Sequence, residues 1–287
     1  MELLQLLIYG VVLGGIIALG AIGVTLTFGI LGFANFSHGD LMSFGAYIAL
    51  IFFTTLSWPL WIALPIAMLG TAALAIAIDR SLYRWFRGRH SVILLISSFG
   101  VALILRSLIQ MIWGPDTLTY QTGIQMPYRF WGLRIRPDQV TILISCALLV
   151  MVLHLFLQRT KIGKAMRAMA DNPTLARLSG INTERVLLWT WILGGALAGA
   201  AGVFLGLDTR LHPEMGWTLL LSLFAAVILG GIGKPYGAIA GGLIIGIVQE
   251  TSALLISPAY KPAVAFAILV IMLIFRPTGL FAGRSVV

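Results

Sequence analysis

Residues 194–206 have the sequence GGALAGAAGVFLG, which consists mostly of glycine and alanine. Within it, Gly195 and Gly199 are four positions apart, so both lie on one face of a helix. In a lipid bilayer, small residues let helix backbones approach closely, whereas large apolar side chains gain little by pairing with each other. The stretch therefore predicts a membrane helix that packs tightly against its neighbours.

The same bias toward small residues recurs in three other apolar segments. Residues 229–233 and 237–246 have the sequences LGGIG and GAIAGGLIIG. The segment near the N-terminus contains Gly10, Gly14, Gly15, Gly20, Gly23 and Gly29. A single GxxxG spacing is weak evidence, but the recurrence of glycine in four segments predicts a tightly packed helical bundle.

The composition indicates a protein whose solvent is lipid. Of the 287 residues, 59% are hydrophobic and 10% are charged, whereas about 25% are charged in a soluble domain. The net charge of +9 is explained by the Lys and Arg that cytoplasmic loops of membrane proteins collect, so binding to nucleic acid is not expected. Cys146 is the only cysteine, which excludes a disulfide framework within the chain. The N-terminal MELLQLLIYG lacks a basic region and predicts a retained first span rather than a signal peptide.

The apolar segments predict an all-α polytopic membrane protein, a single domain over residues 1–287 with about eight or nine transmembrane helices. A span needs about 20 mostly apolar residues. The candidate segments are residues 5–31, 37–56, 58–79, 91–113, 138–158, 186–206, 217–233, 237–256 and 262–276. We expect a broken or re-entrant helix near residues 32–40, where polar residues interrupt the apolar sequence.

The basic residues predict which loops are cytoplasmic. Residues 80–90 contain four Arg and no acidic residue, and residues 159–185 contain six Lys or Arg against two acidic residues. The loop at 114–138 is less basic and richer in Trp, Tyr and Pro. Because cytoplasmic loops are enriched in Lys and Arg, we place 80–90 and 159–185 in the cytoplasm. With nine spans the N-terminus lies outside, whereas a re-entrant segment near residue 35 places it inside.

The polar segment 159–185, RTKIGKAMRAMADNPTLARLSGINTER, carries its own helix boundaries. Residues 161–170 are rich in good helix formers. Asn172 is a suitable N-cap and Pro173 a suitable first residue for a second helix, which Gly180 ends. A loop that only bound anionic lipid would not need such a shape, so the segment predicts a surface that docks to a protein.

Few ionisable residues fall inside the predicted spans, where each is a candidate for function because a charge in hydrocarbon costs on the order of 3 kcal/mol. One interpretation of Asn35, Ser37, His38 and Asp40 is a polar cluster at the mouth of a pathway, with a gating role. The other is the start of the next helix, with Asn35 or Ser37 as the N-cap and Asp40 in the first turn. Glu250 lines a gap between helices or lies near the outer end of its span. Arg106 is expected to extend its stem to the outer interface.

Two polar interruptions have related sequences. LGFANFSHGD at 31–40 and LGGIGKPYG at 229–237 both begin with Leu-Gly, and both are followed by helix rich in small residues. Such a repeat is typical of transporters, in which broken helices in the two halves mark the pathway. Two ordinary turns between helices explain the same pattern, and the sequence does not separate these interpretations.

The chain contains no motif for nucleotide hydrolysis or other catalysis, so we predict no catalytic residue, metal site or cofactor of its own. It lacks G-x-x-x-x-G-K-[ST], H-E-x-x-H and G-x-S-x-G. A docking loop without a phosphate-binding loop favours a transport permease whose ATPase is a separate subunit. The alternatives are a stand-alone secondary transporter or channel, which needs more charge in its spans, and a lipid-modifying enzyme, which needs more His, Asp and Glu.

Three segments resemble the LivH-type inner-membrane permease of bacterial branched-chain amino acid ABC importers. They are GILGFANFSHGDLMSFGAY (29–47), KIGKAMRAMADNPTLARLSGINTERV (161–186) together with GGALAGAAGVFLG (194–206), and AAVILGGIGKPYGAIAGGLIIGIVQ (225–249). The resemblance implies a permease that forms half of a translocation path in the bacterial inner membrane. It also implies a second homologous permease chain, two ATPase subunits that bind ATP and Mg, a periplasmic binding protein and contact with membrane lipids. Related importers of urea or short amides share these segments and remain an alternative.

The resemblance places the ATPase-coupling loop in the insert at 159–185. The residues that it implies are Lys161, Gly163, Arg167, Asp171, Asn172, Pro173 and Gly180. The strict Glu-Ala-Ala pattern of the best-known importer permeases is replaced here by Arg167-Ala168-Met169-Ala170. The individual contacts to an ATPase therefore do not follow from the resemblance.

Overall fold

The computed structural model describes residues 2–88, 90–120, 126–130 and 132–281, most of which are helical, and Arg89 of the predicted basic loop lies outside them. The helices are α1 (Glu2–Leu31), α2 (Ser37–Thr55), α3 (Leu60–Ile78), α4 (Arg84–Phe86), α5 (Ser91–Trp113), α6 (Pro137–Arg159), α7 (Lys161–Asp171), α8 (Pro173–Leu178), α9 (Thr183–Asp208), α10 (Met215–Gly230), α11 (Pro235–Ser252) and α12 (Lys261–Phe275). A π-helical turn (Asp79–Tyr83) joins α3 to α4, and a 3₁₀ turn (Pro258–Tyr260) precedes α12.

Six helical segments of the described residues are long and apolar enough to cross a membrane. They are Glu2–Leu31, Leu60–Phe86, Ser91–Trp113, Pro137–Arg159, Thr183–Asp208 and Pro258–Phe275. The prediction of an all-α, multi-pass membrane protein is therefore confirmed.

The two ends of the bundle differ. One end, which we call the insert end, carries α7 and α8. The other, the hairpin end, carries the antiparallel strands β1 (Tyr128–Phe130) and β2 (Leu133–Ile135). The Gln5 side chain at the start of α1 donates to the Arg134 carbonyl (2.7 Å) and accepts from its N–H (2.8 Å). We predicted only a loop over 114–138, because strands of three residues are too short to show an alternating pattern.

The loop before the hairpin is anchored to the bundle. Leu118 and Leu211 exchange two backbone hydrogen bonds of 2.8 Å each. The Tyr120 hydroxyl donates to the carbonyl of Ala46 in α2 at 2.8 Å. Burial raises the pKa of Tyr120 well above its ordinary value, so the phenol stays protonated and keeps this bond.

Glycine residues bring the central helices into backbone contact. α11 runs antiparallel to α1, and a Cβ on Gly242 would lie 2.6 Å from the Ala18 Cα. On α9, a Cβ on Gly202 would overlap the backbone carbonyl of Met42 in α2. The tight packing predicted from residues 194–206 is confirmed, since these contacts leave no room for a side chain.

Both α2 and α10 begin inside the bundle. A Cβ on Gly23 of α1 would lie 2.5 Å from the His38 ring, and Gly23 precedes the end of α1 by eight residues. The chain therefore returns about 12 Å into the bundle before α2 starts. The backbone of Gly39 in α2 touches Gly216 in the first turn of α10, so the two N-termini meet.

From this meeting point the two helices run apart. α2 runs toward the hairpin end, where Ala46 contacts Tyr120. α10 runs toward the insert end, where Gly230 packs on Gly237. The break predicted near 32–40 is confirmed. The full span predicted at 217–233 is wrong, because α10 has only 16 residues and starts at Met215 inside the bundle.

Gly202→Ala is expected to destabilise the fold, because the new methyl group meets the Met42 carbonyl and an overpacked core costs about 1–3 kcal/mol. Gly100→Ala in α5 is the matched control, since no atom of a neighbouring element lies within 4 Å of that Cβ position. Thermal unfolding in detergent should show a lower Tm for Gly202→Ala only. Equal Tm values for the two variants would contradict the close packing of α9 on α2.

Candidate functional site

The insert forms the two short helices that the sequence predicts, α7 and α8. The Thr160 hydroxyl accepts the Gly163 N–H at 2.9 Å and caps α7. The Asn172 side chain accepts the N–H groups of Thr174 and Leu175 at 3.1 and 3.0 Å and caps α8, with Pro173 as its first residue. These bonds use backbone donors that a helix start otherwise leaves unpaired. The insert therefore has a defined shape.

Two glycines allow the backbone of the insert to turn at its two ends. Gly163 lies against the end of α6, and a Cβ there would be 2.6 Å from both the Cα and the carbonyl oxygen of Leu157. Gly180 follows α8 with φ of +78°, a left-handed conformation that side chains other than glycine disfavour. The roles predicted for Asn172, Pro173 and Gly180 as helix boundaries are confirmed.

The outer face of the insert mixes charge with exposed apolar side chains. Lys161, Lys164, Arg167 and Asp171 are exposed, whereas Met166 and Met169 are buried against the bundle. On α8, Leu175 and Leu178 are 60% and 80% exposed. Two exposed leucines on the same face of a polar helix are typical of a surface that contacts another protein.

Polar contacts join the insert to the turn between α10 and α11. The Lys234 ammonium lies 3.4 Å from the Asp171 carboxylate. Arg167 donates to Gln158 at 3.1 Å, and Gln158 donates to the Tyr236 hydroxyl at 3.1 Å. The sequence indicates a polar interruption at 229–237, but the contact of this turn with the insert depends on the arrangement of the helices.

The break between α1 and α2 is a buried network. The Asn35 side-chain oxygen accepts the Ser37 N–H at 3.1 Å and its hydroxyl at 2.7 Å. The Ser37 hydroxyl also lies 3.0 Å from the Tyr83 hydroxyl. The Phe36 N–H donates to Ser98 of α5 at 3.0 Å. The capping interpretation needs correction: the N-cap residue is Phe36, although Asn35 does take a backbone N–H of the first turn.

His38 and Asp40 lie in the first turn of α2 and face different partners. His38 is buried against α1, and its Nε2 has no hydrogen-bond partner among the described residues. Asp40 is fully buried and pairs with Arg106 of α5, at 3.1 Å from Oδ1 to Nε and 3.3 Å from Oδ2 to Nη2. The Arg106 guanidinium carbon lies 4.7 Å from the centre of the Trp217 ring in α10.

The prediction that Arg106 reaches the outer interface is wrong. α5 runs from the insert end to the hairpin end, and long side chains in a helix lean toward the helix N-terminus. The Arg106 side chain therefore points toward the middle of the bundle, where Asp40 binds it. The sequence separation of 66 residues explains why no local pattern indicated the pair.

Glu250 lies close to the end of α11. Its carboxylate is 2.7 Å from the Lys261 ammonium at the start of α12. Of the two interpretations left open, the structure favours a position near the end of the span. The candidate residues therefore fall into three places: the insert, the meeting point of α2 and α10, and the α11–α12 turn.

Comparisons with known proteins place the chain in a family. The model of the family described as "Branched-chain amino acid transport system / permease component" matches residues 6–273. The chain is 34% identical to the high-affinity branched-chain amino acid transport permease BraD of Pseudomonas aeruginosa, over 99% of this chain and 97% of that protein. It is also 34% identical to LivH of Escherichia coli K12, over 99% and 96% of the two chains.

A more distant relative and a solved structure extend the comparison. The permease LivM of the high-affinity branched-chain amino acid system of E. coli K12 is 27% identical, over 90% of this chain and 66% of LivM. A chain of PsaBC from Streptococcus pneumoniae has the same fold, with a TM-score of 0.54 at 15% identity over 97% of this chain and 93% of that chain. The chain belongs to the family of branched-chain amino acid transport permease components.

Proposed function

We propose that this chain is the permease subunit of an ATP-driven importer that moves branched-chain amino acids across the bacterial inner membrane. The relatives BraD and LivH are named as permease proteins of high-affinity branched-chain amino acid transport systems. The observation that carries the proposal is the insert, a capped pair of helices with outward-facing leucines on a chain that lacks a phosphate-binding loop. ATP and Mg bind to two ATPase subunits, one of which docks on this insert.

The proposed topology has seven full crossings and two partial ones. To the six long apolar segments we add α11 as a full crossing, and α2 and α10 are the partial crossings because both start inside the bundle. The basic residues place the insert end in the cytoplasm. Gln5 contacts the hairpin, so the N-terminus and the hairpin lie on the periplasmic side.

The relatives of the chain and the hairpin end of the bundle suggest two further partners, a second permease and a periplasmic binding protein. Two relatives of this chain, LivH and LivM, come from E. coli K12, and both are named as permeases of a high-affinity branched-chain amino acid transport system. We therefore propose a second, homologous permease beside this one. The exposed Arg134 at the hairpin end offers positive charge to an acidic surface of a periplasmic binding protein.

The contacts between the insert and the α10–α11 turn are the proposed route by which an ATPase acts on the bundle. Lys234 and Tyr236 receive the contacts from α7 and the end of α6. Tyr236 lies in the first turn of α11, and α11 packs along α1 through glycine contacts. A displacement of α7 is therefore transmitted to the centre of the bundle.

Gly180→Arg is expected to abolish uptake and the association of the ATPase subunits, because it strains the left-handed turn that ends α8 and adds a bulky charge there. Deletion of residues 171–173 should have the same effect. Gly114→Arg is the matched control, since Gly114 also has a positive φ, of +83°, and open space around it, but lies at the hairpin end.

Co-purification of the ATPase with each tagged permease measures this effect. Gly114→Arg should retain the ATPase, and all variants should insert into the membrane. Normal ATPase association and ATP-dependent uptake with Gly180→Arg would refute the docking role, and uptake without any ATPase would support a secondary transporter.

Tyr236→Phe is expected to lower uptake per ATP hydrolysed by about fivefold, because the lost hydroxyl binds Gln158 and His154 and one hydrogen bond contributes about 1 kcal/mol. Association of the ATPase should persist, since the insert surface is unchanged. Tyr260→Phe, at an exposed position, is the control. Equal coupling ratios in the two variants, measured in proteoliposomes, would show that the contacts of Tyr236 with α6 do not transmit force.

A further inference from the structure

The outward faces of the bundle differ in polarity. Along α6, the exposed side chains of the central turns are apolar: Ile144, Leu148, Met151, Val152 and Leu155. They recur at helical spacing and form one continuous face. A face of this kind is suited to contact with lipid.

The face formed by α5 and α10 carries a charge. The Arg106 side chain is 14% exposed there, and Arg106 precedes the end of α5 by seven residues. Its Cα therefore lies about 10 Å below the hairpin end of α5. Ionisable residues at such depth face protein or a water-filled cavity rather than lipid. This face is therefore covered by water or protein in the working transporter.

An aromatic groove lies beside Arg106. Its lining includes Phe36, Trp217, Leu221 and Phe224. Phe36 packs against the rings of Trp217 and Phe224, with centroids 6.4 and 5.4 Å apart. Trp217 joins the two features, because its ring lines the groove and also contacts the Arg106 guanidinium. An apolar surface thus adjoins a cation.

Arg106 retains hydrogen-bonding capacity toward this groove. Nε and Nη2 donate to Asp40, while Nη1 makes no hydrogen bond with the residues that the structure describes. The N-termini of α2 and α10 meet nearby and add partial positive charge. Asp40 offsets the charge of Arg106, and the Glu214 carboxylate at the N-cap of α10 adds negative charge nearby. A carboxylate is therefore bound through hydrogen bonds from Nη1 rather than by net charge, and it is held less tightly than by a lone Arg.

We infer that Arg106 and the aromatic groove form a transit site for the transported amino acid, with its carboxylate on Arg106 Nη1 and its aliphatic side chain on Trp217, Leu221 and Phe224. The inference rests on the proposed import function and specifies the surface over which the transported amino acid passes. The carboxylate of an amino acid matches the Arg106 donor, and its apolar side chain matches the aromatic groove. The α5–α10 face then lines the path that this chain shares with the second permease.

Cysteine accessibility tests whether the groove is wet. In a Cys146→Ala background, which has no other cysteine, Leu221→Cys and Phe224→Cys in the assembled transporter should react with a charged, membrane-impermeant methanethiosulfonate reagent. Leu148→Cys and Met151→Cys on the α6 face are the controls and should not react. Equal reactivity of the groove and α6 positions, whether high or absent, would overturn the inference.

Paired charge removal tests the contact with the cargo. Arg106→Gln should lower leucine uptake per assembled complex by about tenfold or more, the effect of losing a hydrogen bond to a charged group. Because that variant leaves Asp40 buried and unpaired, Asp40→Asn/Arg106→Gln is the decisive variant. It removes both charges with little change in volume, and its uptake should remain as low as that of Arg106→Gln.

Recovery of uptake in the double variant would show that Arg106 serves only to pair Asp40, and would overturn the inference. The proposed function is tested separately by the unaltered complex, whose uptake must require ATP. If Arg106→Gln leaves leucine uptake unchanged while uptake by the unaltered complex requires ATP, the transit site is refuted and the proposed import function stands.

Discussion

Two helices of this bundle, α2 and α10, begin inside the bundle, where packed side chains leave little water for their first N–H groups. In such surroundings every backbone donor needs a partner within the protein. Ser98 of α5 accepts from Phe36 at the start of α2, and Ser43 of α2 accepts from Gly216 at the start of α10. Each inner helix start is thus held by a neighbouring helix, so their positions depend on one another.

This mutual capping requires backbones to lie close together. Gly39 and Gly216 touch, and neither position has room for a Cβ. The same close approach brings Asp40 into the first turn of a helix, where the dipole favours a carboxylate, and within reach of Arg106. Removing one member of such a buried pair costs about 3–5 kcal/mol. The ion pair and the glycine contacts therefore depend on the same geometry.

Features encoded locally could be predicted from the sequence. The glycine-rich segments indicated tight packing, and Asn172, Pro173 and Gly180 indicated the helix boundaries of the insert, because caps and turns depend on neighbouring residues. The inner start of α10 had no such signal, since residues 217–229 are a nearly continuous apolar run. The Asp40–Arg106 pair and the Lys234–Asp171 contact join residues far apart in sequence, so they follow only from the arrangement of the helices.

α10 connects the proposed transit site with the proposed coupling surface. Trp217 in its first turn contacts Arg106 and lines the aromatic groove. At its other end, the turn after Gly230 carries Lys234 to Asp171 of the insert. A helix of 16 residues is rigid over about 24 Å, so a force applied to the turn after Gly230 reaches the groove at the other end of α10. Because α10 also packs on α11 through close glycine contacts such as Gly230 on Gly237, the proposed coupling moves α10 and α11 together.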